Sequence, residues 1–435
     1  MAKKINLKIL IGALITFFIS FFLRIYRINV IPANINPDAC DAIWTYLRFK
    51  HRSDFYLFDL NWNGAPALNT YIIGLAWELY YRTVTGLRLP MVILSSLTVS
   101  FAFIYFYLLT KKIWLSFIVS LLLATNPLFL NFSRDGWENI FNSLYLTLIL
   151  IGYYLFSNKK YLHQAISLII IGVILGFYGY HPGKFYLLAV LISMLIIKLP
   201  QNISRLKLFL ITMIIVVIFI GPQLIFMVTQ SLKSFGRIYA VSIFQSSEWL
   251  SILIKNIINN IRGFIFFDID VFQGYLNQRY LPLTTSFINI VLLPFYLIGL
   301  GYALIKIPEI IIIFIIILFP VQIFSLGSPD GARAVHSLPL FFTFIILGIN
   351  FFINLIQQKN LSRLIYIIIT VCFSFLIWFN IKTYFNWITN ERTLKARRPA
   401  IKNEDIFLWS SSLESVIKKG GFGFNVGEWE KMIKK

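Results

Sequence analysis

The chain has 435 residues, of which 58% are hydrophobic and 13% charged, and its formal net charge at pH 7 is +21. Its mean hydropathy is +0.77, and its apolar runs are long enough to cross a bilayer. This composition excludes an ordinary soluble protein and predicts a polytopic membrane protein. Most of the excess positive charge lies in short loops between apolar runs, so it indicates membrane orientation rather than nucleic acid binding.

Eleven apolar runs approach the roughly 20 residues that a helix needs to cross the hydrocarbon core. They fall at about 7–23, 90–110, 113–131, 140–156, 164–180, 185–199, 208–228, 286–305, 309–326, 336–356 and 364–381. The first run follows Lys3 and Lys4 and has no small-residue cleavage site after it, which favours a retained anchor helix over a signal peptide. The sequence therefore predicts an all-α protein with about 11 transmembrane helices.

Basic residues cluster in alternate loops, which predicts an orientation. If Lys3 and Lys4 are cytoplasmic, the alternation places further basic residues on the same side: Lys111, Lys112, Lys159, Lys160, Lys198, Arg205, Lys207, Lys306, Lys359 and Arg363. The positive-inside rule is then satisfied. We expect a plasma membrane protein with a cytoplasmic N-terminus and outer loops at about 24–89, 132–139, 181–184, 229–285 and 327–335.

Two segments lie outside the spans. Residues 66–86 are apolar but interrupted by polar and aromatic side chains, which favours an interfacial, juxtamembrane helix in the first long outer loop. Counting this segment as a span would move the lysine pairs to the outside. We expect residues 1–381 to form the transmembrane domain and residues 382–435 a short outward-facing tail, too short for an ordinary independent domain.

The first outer loop contains the sequence Asn36-Pro37-Asp38-Ala39-Cys40-Asp41. Carboxylates at the edge of a membrane are costly unless they are solvated or used, so they are functional candidates. Asp38 is the candidate catalytic base, and Asp41, one helical turn later, could take a proton, bind a metal or hydrogen-bond a substrate. The alternative for Asp38 is an N-cap of the next helix, and for Asp41 a solvated helix face.

The outer loops, taken in order, resemble the lipid-phosphate-sugar-dependent glycosyltransferases that include protein O-mannosyltransferases and aminoarabinose transferases. Asn36-Pro37-Asp38 matches the family's Pro-Asp-Glu motif, except that Ala39 stands where the Glu usually is. The further matches, over roughly residues 1–350, are Ser133-Arg134 with Glu138-Asn139, Tyr180-His181 with Lys184, Arg237 with Val241-Ser242-Ile243-Phe244, and Ala332-Arg333-Ala334 before Pro339. The resemblance implies the membrane-embedded GT-C fold and Asp38 as the base.

Sugar transfer from a lipid phosphate needs fixed cations, because the leaving phosphate gains charge. The candidates at outer helix ends are Arg134, His181, Lys184, Arg237 and Arg333. For each alone, a snorkelling or headgroup-binding cation is the alternative. The candidate substrate-binding residues are Glu138, Asn139, Tyr180, Asp270 and Asn277.

The cofactor prediction is open, because the sequence has no Cys/His metal cluster. Asp41, Asp135 and Glu138 are candidates for a divalent ion, with Asp135 and Glu138 predicted on the opening turn of the fourth span. For Asp135, the alternative is a negative charge favoured at a helix N-terminus. Asp268-Ile269-Asp270 is similar to the Asp-x-Asp of nucleotide-sugar enzymes but lies in an outer loop. We expect the segment from Asp268 through Asn277 and Arg279 to Pro282 to be a lid or acceptor-side element.

The sequence thus favours an inverting glycosyltransferase that uses a polyprenyl-phosphate-linked sugar and an acceptor protein, lipid or glycan. The sequence contains no Gly-rich phosphate loop or nucleophile elbow, which disfavours an ATP-driven pump or a hydrolase. The alternative is a transporter or lipid flippase. That class is expected to carry ionisable groups at mid-membrane depth and helices broken in matching halves.

Overall fold

A computed structural model describes residues 7–52, 58–61, 64–157, 161–198, 204–230, 239–272, 279–357, 362–396, 401–424 and 426–433. Its helices are α1 (Leu7–Ile25), α2 (Pro37–His51), α3 (Leu68–Leu79), α4 (Val84–Thr110), α5 (Ile113–Thr125), α6 (Pro127–Asp135), α7 (Phe141–Ser157), α8 (Leu162–Phe177), α9 (Phe185–Ser193), α10 (Ser204–Thr229), α11 (Trp249–Asn260), α12 (Leu293–Lys306), α13 (Pro308–Ile323), α14 (Gly331–Ala334), α15 (Leu338–Gln357), α16 (Ser362–Ile388), α17 (Glu391–Ala396), α18 (Ile406–Lys418) and α19 (Val426–Ile433). Two short strands, β1 (Asn34–Ile35) and β2 (Ile401–Lys402), form one antiparallel pair.

Each of the eleven apolar runs contains a helix, and the predicted all-α membrane fold is confirmed. Within the described ranges, 6 helices are long and apolar enough to cross a membrane. Two further pairs qualify only as bent units: α5 with α6, bent by 59°, and Ile290–Lys306 with α13, bent by 116°. Together they bring the number to 8, while α8 and His181–Ile196 are shorter apolar helices. The predicted count of eleven spans is not confirmed, because the predicted spans beyond these 6 correspond to bent pairs or to shorter helices.

Small residues allow the closest helix contacts. Gly299 on α12 and Gly348 on α15 face each other, and a Cβ on either would collide with the backbone of the other helix. Close backbone approach at small residues is how helices associate in lipid, where hydrophobic burial gives no advantage to protein over lipid contacts. These contacts fix the helix bundle that supports the loops between its helices.

Two buried arginines hold residues 23–34, which cover the last turn of α1 and the chain after it. Arg134 donates to the carbonyls of Leu23, Arg24, Tyr26 and Ile31 at 2.6–3.0 Å. Arg88 donates to the carbonyls of Ile28, Pro32 and Asn34 at 2.8–3.1 Å. A helix end leaves carbonyls unpaired, and near a bilayer they need protein donors. The two guanidinium groups therefore fix the path of the chain into α2.

The C-terminal segment docks on the first long loop. β2 pairs with β1, with Asn34 opposite Lys402 and Ile35 opposite Ile401. Helix α18 packs against α2 and buries Trp409, Leu413 and Ile417. The last long helix, α16, continues to Ile388, beyond the predicted end of the span at residue 381.

Ion pairs reinforce this docking. Glu414 of α18 lies 2.5 Å from Arg82 and 2.7 Å from His51, and Lys418 lies 3.2 Å away. Arg82 also pairs with Glu78 at 3.2 Å, and Glu78 accepts from Lys50 at 2.6 Å and Tyr46 at 2.8 Å. The network ties α18 to α2 and to the end of α3.

We expect Glu414→Gln to loosen the C-terminal segment. Burial alone would raise the pKa of Glu414, but hydrogen bonds from Arg82, Lys418 and His51 outweigh it and lower the pKa from 4.5 to about 2. A lowered folded-state pKa stabilises the fold above about pH 4.5, and this contribution is lost as the pH falls towards 2. At pH 7 the variant should destabilise α18 docking by about 1–3 kcal/mol, measured as faster hydrogen exchange in residues 406–418.

The control for this experiment is Glu404→Gln, because Glu404 is exposed and lies 3.6 Å from an exposed lysine, Lys402. Exposed pairs of this kind contribute little, so we expect no change in exchange. The gap between wild type and Glu414→Gln should close as the pH falls from 4.5 to 2. A gap that stays constant over this range would contradict the ion-pair explanation.

Candidate active site

Asp38 lies in the first turn of α2, but it does not cap the helix. The N-cap is Asn36, whose Oδ1 accepts from the backbone N–H of Asp38 at 3.2 Å, and Pro37 follows it inside the first turn. The alternative interpretation of Asp38 as the cap is therefore wrong. Its carboxylate instead benefits from the positive end of the helix dipole without being required for the helix to start.

Arg279 pairs with Asp38. Its Nη2 lies 2.9 Å from Oδ2 of Asp38, and the two side chains are 16% and 26% exposed, respectively. The same guanidinium donates to Oδ1 of Asn36, and Nδ2 of Asn36 donates to Asp135 at 3.3 Å. These contacts join the start of α2, the end of α6 and the loop before α12, so the orientation of Asp38 is set from three parts of the chain.

Ala39 stands where the resembled motif has a glutamate. It is fully buried and lies beside Gly136, at which an added Cβ would be 3.4 Å from the Cβ of Ala39. Asp41, in contrast, lines an open cavity together with Asp38. The second carboxylate of this loop thus reaches the cavity from position 41, one turn further along α2.

Glu138 and Asn139 lie in a buried turn between α6 and α7. Nδ2 of Asn61 donates to Oε1 of Glu138 at 2.8 Å, and among the residues that the structure describes Oε2 has no hydrogen-bond partner. Asn139 donates to the carbonyl of Ala332 at 2.9 Å. The predicted placement at the opening of the fourth span holds for Glu138 but is wrong for Asp135, which is the last residue of α6 and receives the hydrogen bond from Asn36.

A wall of aromatic rings connects the Asp38 pair with the later loops. The Trp137 ring lies 6.0 Å from that of Tyr180 and 5.9 Å from that of Tyr280. Burial raises the pKa of the Tyr280 phenol well above its ordinary value, the charge of Asp38 acts in the same direction, and Arg279 opposes both. Burial also raises the pKa of Tyr180, with Asp330 adding to the rise and Arg333 opposing it. The charges of Asp38, Arg279, Asp330 and Arg333 therefore all act on the tyrosines of this wall.

The predicted cations have different environments. Nζ of Lys184 is buried and has no hydrogen-bond partner in the described part of the chain. Arg333 lies 3.4 Å from Asp330 and donates to the carbonyl of Leu326 at 3.2 Å. The His181 ring contacts that of Tyr180 at 5.3 Å, in a helical turn that spans His181–Lys184. Arg237 and Asn277 lie outside the described residues.

Arg134 has a structural role in place of the predicted phosphate contact. It is fully buried, and its terminal nitrogens bind four backbone carbonyls around the end of α1. A guanidinium used in this way has no terminal N–H group left for a lipid phosphate. We therefore leave Arg134 out of the proposed phosphate site.

Asp270 belongs to a local turn. Its backbone N–H donates to Oδ1 of Asp268 at 3.0 Å, and Asp268 pairs with Arg262 at 2.6 Å. Over the described ranges, no group of three or more His, Cys, Asp or Glu side chains is arranged to hold a metal ion. Asp41, Asp135 and Glu138 thus do not form such a group.

Sequence reasoning underestimated Arg279 and missed Asn61. Arg279 was expected only as part of a lid, yet it pairs with Asp38, and Asn61 holds Glu138. The signal in the sequence that could have marked Arg279 as a site residue is the aromatic residue next to it, Tyr280. Nothing in the sequence shows that a residue some 240 positions later contacts Asp38.

No protein-family model and no curated protein matches the chain. Solved structures do resemble it. The crystal structure of the oligosaccharyltransferase of Archaeoglobus fulgidus, in complex with Zn and sulfate, has a TM-score of 0.53 and 13% identity, covering 87% of this chain and 53% of that chain. The chain thus spans about half the length of that enzyme.

A second similar structure is ArnT from Cupriavidus metallidurans in the apo state, with a TM-score of 0.51, 10% identity and coverage of 94% of this chain and 75% of that chain. The same ArnT bound to undecaprenyl phosphate has a TM-score of 0.49, 11% identity and the same coverage. The chain is a membrane protein of the GT-C fold, as the sequence predicted. At this identity, the likeness establishes the fold alone.

We expect Arg134→Gln to destabilise the protein, because it leaves buried carbonyls without donors. One unsatisfied buried group costs about 1–3 kcal/mol, so the loss of several should lower the free energy of unfolding by at least about 3 kcal/mol. Thermal unfolding in detergent measures this loss. Arg333→Gln is the comparison, because Arg333 binds one carbonyl and one carboxylate. An Arg134→Gln protein that unfolds like wild type would contradict the structural role.

Proposed function

We propose that the protein is a glycosyltransferase that moves a sugar from a polyprenyl-phosphate carrier to an acceptor hydroxyl or amine, with inversion and with Asp38 as general base. The observation that carries the proposal is the Asp38–Arg279 pair at the edge of an open cavity in a bundle of the GT-C fold. A carboxylate that is oriented by an ion pair and still reaches a cavity meets the requirements of a general base.

The reaction follows from these groups. The acceptor oxygen attacks the anomeric carbon while Asp38 takes its proton. The bond from the anomeric carbon to the phosphate oxygen breaks, and its electron pair leaves with the polyprenyl phosphate. Attack from the face opposite the phosphate inverts the anomeric centre. Arg279 acts as a positioning residue, because it holds Oδ2 of Asp38.

The leaving phosphate needs cations close to the aromatic wall. Lys184 and Arg333 are the proposed ligands, with His181 beside Tyr180 and Arg237 as a further candidate. The buried Nζ of Lys184, without a partner among the described residues, supports an anion as its partner in the working enzyme. A charge-assisted hydrogen bond there would offset the cost of burying the ammonium group. Glu138, Asn139 and Tyr180 are proposed to contact the sugar.

The orientation of the protein follows from the opposite end of the bundle. Lys112 donates to Asn354 at 2.6 Å, Lys111 lies over the Tyr154 ring, and Lys306 lines a cavity with Tyr154. Helix α1 ends on the Asp38 side, so its N-terminus is at this basic end. The positive-inside rule then favours a cytoplasmic N-terminus and an outward-facing active site in the plasma membrane.

We expect Asp38→Asn to lower the rate of transfer by about 10²–10⁴-fold without loss of expression, because general-base catalysis typically supplies this factor. Mass spectrometry of co-purified lipids and single-turnover assays with a polyprenyl-phosphate sugar measure the effect. Asp405→Asn is the control, because Asp405 lies in the C-terminal segment and does not line the cavity. If neither wild type nor variant holds such a lipid, and added lipid gives no transfer, the alternative hypothesis of a transporter or lipid flippase is favoured over a glycosyltransferase.

Lys184→Met should separate lipid binding from folding. Methionine keeps most of the length of lysine and removes a buried cation, so thermal stability should be unchanged or higher. Binding of the polyprenyl-phosphate donor should weaken by about 10–150-fold, the equivalent of one charge-assisted hydrogen bond of about 1.5–3 kcal/mol. Equal donor affinity in Lys184→Met and wild type would remove Lys184 from the phosphate site.

A further inference from the structure

The cavity beside Asp38 has a volume of about 320 Å³ and is shared by two distant parts of the chain. Asp38, Asp41 and Trp44 of α2 form one side. Trp409 of α18 and Phe422 and Glu428 of the C-terminal segment form the other. The segment that matched no known motif therefore builds half of the wall around the proposed base.

We propose that this cavity is the acceptor subsite and that it binds a single sugar residue at the end of a carbohydrate acceptor. This inference rests on the proposed function, and it names the substrate class that the same site takes. The donor phosphate would lie on the other side of Asp38, next to Lys184 and Arg333.

The tail holds the aromatic part of the wall in one arrangement. Nε1 of Trp44 donates to the carbonyl of Phe422 at 2.8 Å. Gly423 has φ +88°, and a Cβ there would meet Nε1 of Trp44 at 2.6 Å and Cδ1 of Leu413 at 2.7 Å. Only glycine permits both this backbone conformation and this close contact. The guanidinium of Arg52 lies 4.6 Å from the Phe422 ring centre, and Arg48 lies 4.9 Å from that of Trp44.

The polar groups of the cavity match hydroxyl groups. Asp38, Asp41 and Glu428 supply carboxylate oxygens, which accept hydrogen bonds from sugar hydroxyls. Trp409 lines the cavity but is only 1% exposed, so its indole fixes the shape of the wall from behind. Aromatic faces next to carboxylates suit a ring that is apolar on its faces and polar at its edge.

The charge and the volume of the cavity restrict the class of ligand further. The described lining residues include three carboxylates, Asp38, Asp41 and Glu428, and no lysine or arginine. This charge favours a neutral acceptor group over a phosphorylated one. At about 320 Å³ the cavity is at the small end of the ligand sites found in proteins, roughly 300–1,000 Å³, which favours one sugar residue over a protein segment.

The test measures sugar binding to the full-length protein in detergent by saturation-transfer NMR. The probes are methyl glycosides of glucose, galactose, mannose and N-acetylglucosamine. Wild type should give transfer to the ring protons of at least one probe. Trp409→Phe, which removes part of the ring that shapes the wall, and Glu428→Gln, which removes a carboxylate from it, should each reduce that signal at least 5-fold. Phe407→Leu on the same helix is the control, because Phe407 is 59% exposed and does not line the cavity.

A second readout uses transfer by the same variants. With a carbohydrate acceptor, Trp409→Phe and Glu428→Gln should raise the acceptor KM about 10-fold and leave kcat and the donor KM unchanged. If no probe binds wild type, or if the variants bind it equally, the sugar subsite is wrong even where Asp38→Asn abolishes transfer. Efficient transfer to a serine-containing peptide that no glycoside inhibits would also overturn it. If wild type binds the sugar, the variants lose that binding, and no transferase activity is found, the sugar subsite would stand and the proposed function would be refuted.

Discussion

The carbonyls that follow the end of α1 are the constraint on which the site depends. A helix that ends at the edge of a bilayer leaves acceptors that neither lipid nor a following helix can satisfy. Arg134 and Arg88 supply the donors, and both are fully buried. Both guanidinium groups bind backbone carbonyls, so they fix the path of the chain into α2. Asn36 and Asp38 follow directly after the segment that these two arginines hold.

The C-terminal segment depends on the same support. β1, which pairs with β2, lies between the carbonyls held by Arg88 and the cap of α2. The antiparallel pair brings α18 onto α2, and Glu414 then reaches Arg82 and His51. The proposed base and the far wall of its cavity come from opposite ends of the sequence, so docking of this segment and the shape of the cavity should change together.

The fold was more predictable than the site, for a physical reason. Uninterrupted apolar runs such as 7–23 are expected to be helices in a bilayer, because a helix pairs its backbone groups within a single segment. The number of crossings was less predictable, because the 59° bend before α6 and the 116° bend at Ile307 depend on packing. The roles of cations could not be separated by sequence: Arg134 and Arg333 both lie near the ends of short helices, α6 and α14, but only the structure shows that Arg134 binds four carbonyls around the end of α1. Arg279 was underestimated because its partner lies in the first loop.

A base and a leaving phosphate repel each other, and the arrangement around Asp38 addresses this problem. In a region shielded from water, two anions interact strongly unless a cation or an ordered barrier lies between them. Arg279 is bound to Asp38, and Arg333 lies 3.4 Å from Asp330, so each of these two carboxylates has a cation beside it. The proposed base therefore carries its own counter-ion, while Nζ of Lys184 has no hydrogen-bond partner among the described residues. Under the proposed function, this division would let one small site hold a proton acceptor and an anionic leaving group at once.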